Sequence, residues 1–321
     1  MVELIGAPYD LSGGHIGSRL GPSALRLAGI QVVLEELGMD VVDSGDIPIS
    51  QDSTIGTGIK YFASAFPASK ELKSATLRSL AQNRIPIVLA GDHSLGIGSI
   101  SAALDHFGAE LAVIWIDAHA DINTPDESPS GNLHGMPLAA LMGFPSGVMG
   151  EVDEDWRAIL SGIVAERRLS AKQLGFVGLR SVDPGEQRRM ASLPEIFITT
   201  MQDVDRYGIE RVLHGMDDWL RSTGARALWI SFDVDVLDPV LAPGTGTTVR
   251  GGLSYRESHL CGELLRKMLD EPGCPFKLVG LDLVETNPLI DTNNETAKVV
   301  VEWVASLFGK TILGQARSSP L

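Results

Sequence analysis

The chain has 321 residues, 44% of them hydrophobic and 21% charged, and a net charge of −15, the composition of a globular enzyme with a large core. That acidity argues against nucleic-acid and membrane-surface partners, which need basic patches, while it suits a cationic substrate. The chain shows no linker rich in Pro, Ser or charge, no internal repeat and no apolar run of about 18 residues, so one domain over 1–321 and no membrane partner are expected.

The start, Met-Val-Glu-Leu-Ile-Gly-Ala-Pro, has no basic region followed by a long apolar stretch. Cys261 and Cys274, the two cysteines, stand in no metal or redox spacing. Both features fit a reducing compartment, and a cytoplasmic protein is the expectation.

Taken in order, apolar runs at 2–7, 40–42, 85–90, 111–117, 174–178, 196–200, 228–233 and 277–284 read as strands. Amphipathic stretches at 22–37, 70–82, 97–106, 209–221, 254–270 and 295–309 read as helices between them. Such alternation predicts a parallel α/β sheet, whose ligands sit beyond the carboxyl ends of the strands. The glycine-rich run 12–21 lacks both the Gly-Lys-Ser/Thr ending of a P-loop and the Gly-x-Gly-x-x-Gly pattern, so it reads as an ordered loop near the substrate mouth.

Four of the strand ends carry chemistry. The run 85–90 is followed by Gly91-Asp92-His93-Ser94, and 111–116 by Asp117, His119 and Asp121 at every second residue. The run 228–232 leads into Asp233-Val234-Asp235, and 277–284 into Glu285. In extended backbone alternate residues point the same way, so the 117–121 trio converges on one point. Asp117, Asp121, Asp233 and Asp235 bring four negative charges together, a repulsion that divalent cations relieve. With His93 and His119 there are six ligand-type side chains, more than one tetrahedral zinc needs and enough for two ions if an Asp bridges. Carboxylate-rich donors favour manganese.

These motifs give the chain a resemblance to the arginase, or ureohydrolase, family. Gly91-Asp92-His93-Ser94, Asp117-Ala118-His119-Ala120-Asp121 and Ser231-Phe232-Asp233-Val234-Asp235 are similar to its three metal motifs, and the likeness runs from Gly6-Ala7-Pro8 through Gly21-Pro22-Ser23-Ala24-Leu25-Arg26 to the last helix. The resemblance implies a single-domain, three-layer α/β/α fold with an eight-stranded, mostly parallel sheet. It implies two Mn2+ ions, with Asp117 and Asp233 bridging, His93 and Asp121 on one ion and His119 and Asp235 on the other. A homotrimer or homohexamer is implied too, and Tyr255-Arg256-Glu257 looks like a segment used at subunit contacts.

The same resemblance implies the substrate groups. Asn123, Ser128, Ser130 and Asn132 are similar to the loop that holds an α-carboxylate in arginases, and Asp183 and Glu186 to the groups that receive the α-amino group. Hydrolysis of L-arginine to L-ornithine and urea by a metal-bridging hydroxide is the implied reaction. Asp121 would orient the nucleophile and take its proton, Glu285 would pair with the guanidinium with Thr247 supporting that end, and His134 would carry the proton to the leaving amine. Three features lean the other way: Val236 stands where arginases typically have Gly, the runs 233–239 and 242–247 have the flavour of agmatinases, and Ser181 replaces a common Asp. The runner-up is therefore a ureohydrolase for agmatine, guanidinobutyrate or Nω-hydroxyarginine. A mononuclear zinc deacetylase and a non-catalytic binding protein on the same fold fit the complete ligand set less well. His15, His106, His214 and His259 match no motif and read as structural or surface residues.

Overall fold

A computed structural model describes residues 1–164 and 166–312. Among them lie eight strands: β1 (Val2–Ala7), β2 (Val41–Asp46), β3 (Ile85–Ala90), β4 (Leu111–Ile116), β5 (Leu174–Leu179), β6 (Phe197–Thr200), β7 (Ala227–Asp233) and β8 (Lys277–Val284). They form one sheet in the order β2-β1-β3-β8-β7-β4-β5-β6, and every pairing is parallel. The expected sheet, mostly parallel, is thus parallel throughout.

Burial on both faces explains the composition of the central strands. β4 reads LAVIWI with no exposed residue, because helices cover both of its sides. Its alternate side chains divide between two cores: Ala112, Ile114 and Ile116 pack with Leu213, Leu265 and Val304 from helices on one face, and Leu111, Val113 and Trp115 pack with Leu72, Ile100 and Leu138 on the other. This is the three-layer α/β/α arrangement. No helix among the described residues is long and apolar enough to cross a membrane.

The helices differ from expectation where single residues intervene. The stretch 22–37 is two helices, Gly21–Leu27 and Ile30–Glu36, because Gly29 at φ +90 breaks the ladder. The stretch 70–82 begins earlier, as Phe62–Ala81 with Pro67 inside it; Pro67 and Ala63, whose carbonyl loses its helical partner, both lie on the exposed face, where the lost bond costs least. Strand 40–42 extends to Asp46, and four helices unforeseen in the sequence appear at Pro137–Met142, Glu151–Gly162, Pro184–Ala191 and Met201–Tyr207. Tyr255-Arg256-Glu257 opens the helix Tyr255–Asp270, where Glu257 closes a capping box with Ser254.

What matters for the site is the run β3-β8-β7-β4-β5. These strands are sheet neighbours, and their paired positions bring the residues after each carboxyl end to one level. Ile116 pairs with Phe232, and Asp233 with Val284.

Candidate functional site

The strand ends deliver the anticipated side chains to one place. After β3 the chain makes a short turn in which the Asp92 carboxylate accepts the N–H of Ser94, aiming His93 inward. After β4 the Asp117 N–H still donates to Val177 on β5 at 3.0 Å, extending the ladder by one residue to the first ligand-type side chain. After β7, Asp233 accepts the N–H of Asp235 at 2.8 Å, which curls the backbone so that both carboxylates face the same cluster.

Two groups of donors result, one of His93, Asp117 and Asp233 and one of Asp117, His119 and Asp235, with the ligand atoms of each within 4.8 Å of one another. Asp117 belongs to both. His93 Nδ1 lies 3.1 Å from Asp117, 3.1 Å from Asp233 and 3.3 Å from Asp121. His119 Nδ1 lies 2.9 Å from Asp235 and 3.5 Å from Asp117. Asp121 therefore joins the His93 side.

Burial and crowding set the electrostatics. Burial raises Asp233 well above the usual carboxylate range and brings Asp235 to about 6, with the charges of neighbouring Asp residues adding to both. Burial and Asp117 also raise Asp121. For the imidazoles burial works downward, yet the surrounding carboxylates win: His93 rises well above its ordinary value and His119 reaches about 12. The cluster thus lacks positive charge and recruits it by protonating histidines. An oxygen-rich cluster in this condition fits divalent cations.

The supports around the cluster carry no motif. His93 stacks on Trp115 at 3.9 Å between ring centroids, and its Nε2 meets Ser231 Oγ at 2.9 Å. Trp115 Nε1 donates to Asp117 Oδ2 at 2.9 Å. Ser231 and Trp229 both donate to the buried Asp282, a carboxylate raised by burial to about 6. Arg180 reaches the carbonyls of Asp235, Val236, Leu237 and Val249. Alternation along β7 was the available signal for Ser231, because it shares a face with Asp233.

Backbone strain marks two of the acids expected to do chemistry. Asp121 sits at φ +49 and Glu285 at φ +64, a region that costs non-glycine residues energy. Both are fastened: the Asp121 carbonyl accepts the Leu138 N–H at 3.0 Å, and the Glu285 N–H donates to Gly91 at 2.7 Å. Glu285 Oε1 accepts the His93 N–H at 3.0 Å and meets His134 Nδ1 at 3.3 Å. Burial lowers His134, but Glu285 outweighs it and the imidazole rises to about 9.

A cavity of about 210 Å³ opens beside this cluster. Of the anticipated residues, His119, Asp121, Asn123, Ser128, Ser130, His134, Asp183, Glu186, Asp233, Asp235 and Thr247 line it, as do Ser181 and Pro129. Thr247 Oγ1 donates to Asp235 Oδ2 at 2.9 Å, tying that wall to the cluster. Asn123 Nδ2 donates to Asp183 Oδ2 at 2.6 Å. Asp183 also caps the helix Pro184–Ala191, accepting from Gly185 and Glu186, while Glu186 accepts the Asp183 N–H. Burial, with the Asp121 charge, raises Glu186 to about 7. Asn132 stands behind the wall, its Oδ1 accepting from Lys60 Nζ at 3.0 Å.

The glycine-rich run is an ordered loop, as expected. The Ser12 N–H donates to Asp92 Oδ2 at 2.9 Å and the Ser12 carbonyl accepts from the His134 N–H at 3.3 Å, so the loop braces the histidine. Cys261 and Cys274 are free thiols away from the cavity.

Comparison with known proteins points in one direction. The model of the arginase family matches residues 1–309. An arginase of Staphylococcus aureus is 39% identical over 317 residues, spanning 97% of this chain and 98% of that protein. The native structure of Bacillus caldovelox arginase superposes with a TM-score of 0.86 at 37% identity, covering 97% of this chain and 99% of the other. An Entamoeba histolytica arginase in complex with L-ornithine superposes with a TM-score of 0.82 at 30% identity, covering 96% and 98%.

Proposed function

The chain belongs to the arginase family, and from that premise we propose that it is a dimanganese hydrolase converting L-arginine and water to L-ornithine and urea. The observation that carries the reading is the meeting, around one cavity of about 210 Å³, of a buried Asp/His cluster and the Ser128–Ser130 and Asp183–Glu186 walls.

The donor set fits the metal. Carboxylate oxygens outnumber imidazoles, Asp117 is shared between two groups, and the metal-free cluster holds its histidines as cations for want of positive charge. His93, Asp117, Asp121 and Asp233 would hold one ion, and Asp117, His119, Asp233 and Asp235 the other. Bound divalent ions lower the pKa of water, so that a nucleophile is present near neutral pH.

The chain's own residues supply the remaining steps. The Asp121 carboxylate, beside His93 at 3.3 Å, orients the attacking water and accepts its proton. Glu285 pairs with the guanidinium, and its fixed backbone sets the direction of approach. His134, in contact with Glu285, returns a proton to the departing amine nitrogen. Asn123, Ser128 and Ser130 donate to the α-carboxylate and Asp183 and Glu186 accept from the α-ammonium, with Asn132 acting from behind. Support comes also from the E. histolytica relative, whose structure holds L-ornithine. The same reading takes 1–321 as one catalytic domain working in the cytoplasm as a homotrimer or homohexamer, which sedimentation of the loaded protein tests.

A second reading, hydrolysis of agmatine, guanidinobutyrate or Nω-hydroxyarginine, draws on Asp183: both of its oxygens are already engaged, by Asn123 and by the helix N–H groups. Urea release from each of the four compounds by manganese-loaded protein decides between them. Fast turnover of agmatine without turnover of L-arginine overturns the proposal.

A further inference from the structure

Lys60 places a positive charge on the wall where an amino-acid substrate would present its carboxylate. Its Nζ donates to the Ser130 carbonyl at 2.6 Å and to Asn132 Oδ1 at 3.0 Å, and Ser130 lines the cavity with Ser128 and Pro129. The backbone is held on both sides of it. The Ile59 N–H donates to Asp155 Oδ2 at 2.9 Å above a buried Ile59 side chain, and Tyr61 at φ +56 turns the chain into the helix Phe62–Ala81. Several partly buried cations meet carboxylates, as Arg26 meets Asp43, Lys73 meets Asp105 and Arg84 meets Glu3, whereas Arg180 meets carbonyls. Among the described residues Lys60 meets neutral oxygens only. No ion pair draws the ammonium elsewhere among the described residues, and its two contacts place its charge on the 128–132 loop.

The rest of the wall makes that charge consequential. Asp121, Asp183, Glu186, Asp233 and Asp235 line the cavity, and among the described residues no Lys or Arg does. Away from the metal ligands the lining acids are Asp183 and Glu186, which suit an ammonium group, and no Lys or Arg of the lining offers a cation to a carboxylate. The neutral donors Asn123, Ser128 and Ser130 offer a carboxylate hydrogen bonds but no charge. We propose that Lys60 is a specificity-determining residue that admits a substrate α-carboxylate at the 128–132 loop and so favours L-arginine over agmatine, which lacks that group. The proposal rests on the arginine reading above. It gives Asn132 a task as well, which is to hold the Lys60 head in place.

The test uses the full chain loaded with manganese, as the native protein, Lys60→Met and Lys60→Arg. It reads kcat and KM for L-arginine and agmatine, and calorimetric binding of L-ornithine and putrescine, the corresponding amines with and without a carboxylate. Lys60→Met is expected to raise KM for L-arginine and weaken L-ornithine by about fivefold to tenfold, while agmatine and putrescine keep their native values. Lys60→Arg is expected to restore most of the preference, and added salt to erode it in the native protein. Equal losses within each pair mark the residue as loop support and overturn the proposal, as does no change at all. If native protein releases urea from agmatine and not from L-arginine, the arginine reading falls. Lys60 is then judged on the L-ornithine and putrescine pair, where a ratio unmoved by Lys60→Met overturns it.

Discussion

The Arg180 guanidinium donates to the main-chain carbonyl of Asp235 at 2.6 Å, so a side chain just past β5 holds the turn that ends β7. The same planar head reaches Val236, Leu237 and Val249, and Val249 closes the segment that carries Thr247. Arg180→Met takes this donor from the Asp235, Leu237 and Val249 carbonyls, while Val236 keeps the Leu253 N–H at 2.9 Å, and a loss of about 2–4 kcal/mol in unfolding free energy is expected. Divalent-ion affinity should fall as well, because Asp235 and Thr247 shift with their support. Denaturant titration and calorimetric manganese binding check both effects. Native values in each would mean that these contacts contribute nothing. Arg180→Lys should recover little, since an ammonium lacks the guanidinium fork.

Metal uptake should expel protons. In the metal-free protein His93 lies well above its ordinary value and His119 near 12, because their bonds to Asp residues outweigh burial, and burial also keeps Asp233 protonated well above the usual carboxylate range. Ligation needs free-base imidazole and ionised carboxylate. The sign follows: each ion displaces protons at neutral pH, and affinity weakens as pH falls. Calorimetry of manganese binding in two buffers of different ionisation enthalpy reads the release directly. Heats that do not depend on the buffer would contradict it.

The two donor groups share Asp117, so substitutions within them should differ in stoichiometry. Asp117→Asn weakens both groups and is expected to leave the protein without bound manganese and without urea production. His93→Ala removes a donor from one group and leaves Asp117, His119 and Asp235 together, so a single retained ion is expected. Metal analysis after gel filtration distinguishes the cases. Two ions retained by Asp117→Asn would rule out a bridging Asp117.

The legible parts were those whose physics is local. Asp117, His119 and Asp121 alternate because they continue a strand, and the β4 run is apolar because both faces are covered, so ligands and sheet could be read together. The break at Gly29 was hidden because helical periodicity continues on either side of it, and the helical start before Pro67 was hidden because proline usually marks an end. Asp183 and Glu186 show a different limit: one spacing serves both a capping box and a substrate wall, and only the fold reveals both uses. Arg180 and Lys60 act through main-chain and amide oxygens far away in sequence, which leave no pattern of residue types.

Glu285→Gln separates charge from shape. The amide retains an oxygen to accept the His93 N–H, and the backbone at φ +64 with its bond to Gly91 is untouched. The fold and the manganese content should therefore survive. The lost anion removes the partner of the guanidinium, and kcat/KM for L-arginine should fall by about 10²-fold or more. The variant has a second readout in His134. Burial pushes that imidazole down and Glu285, with the charges of Asp121 and Asp92, lifts it to about 9 from the ordinary 6.5, so without the Glu285 carboxylate it should titrate lower. In the metal-free native protein the raised value means that the pair stabilises the fold fully below about pH 6.5 and that this contribution is lost as pH rises through about 9. The variant should lose the part of that slope that Glu285 supplies, leaving the part from Asp121 and Asp92. An NMR titration of His134 alongside thermal melts over the same range measures both, and a His134 value unmoved in Glu285→Gln would show that the carboxylate does not set the protonation of the proposed proton carrier.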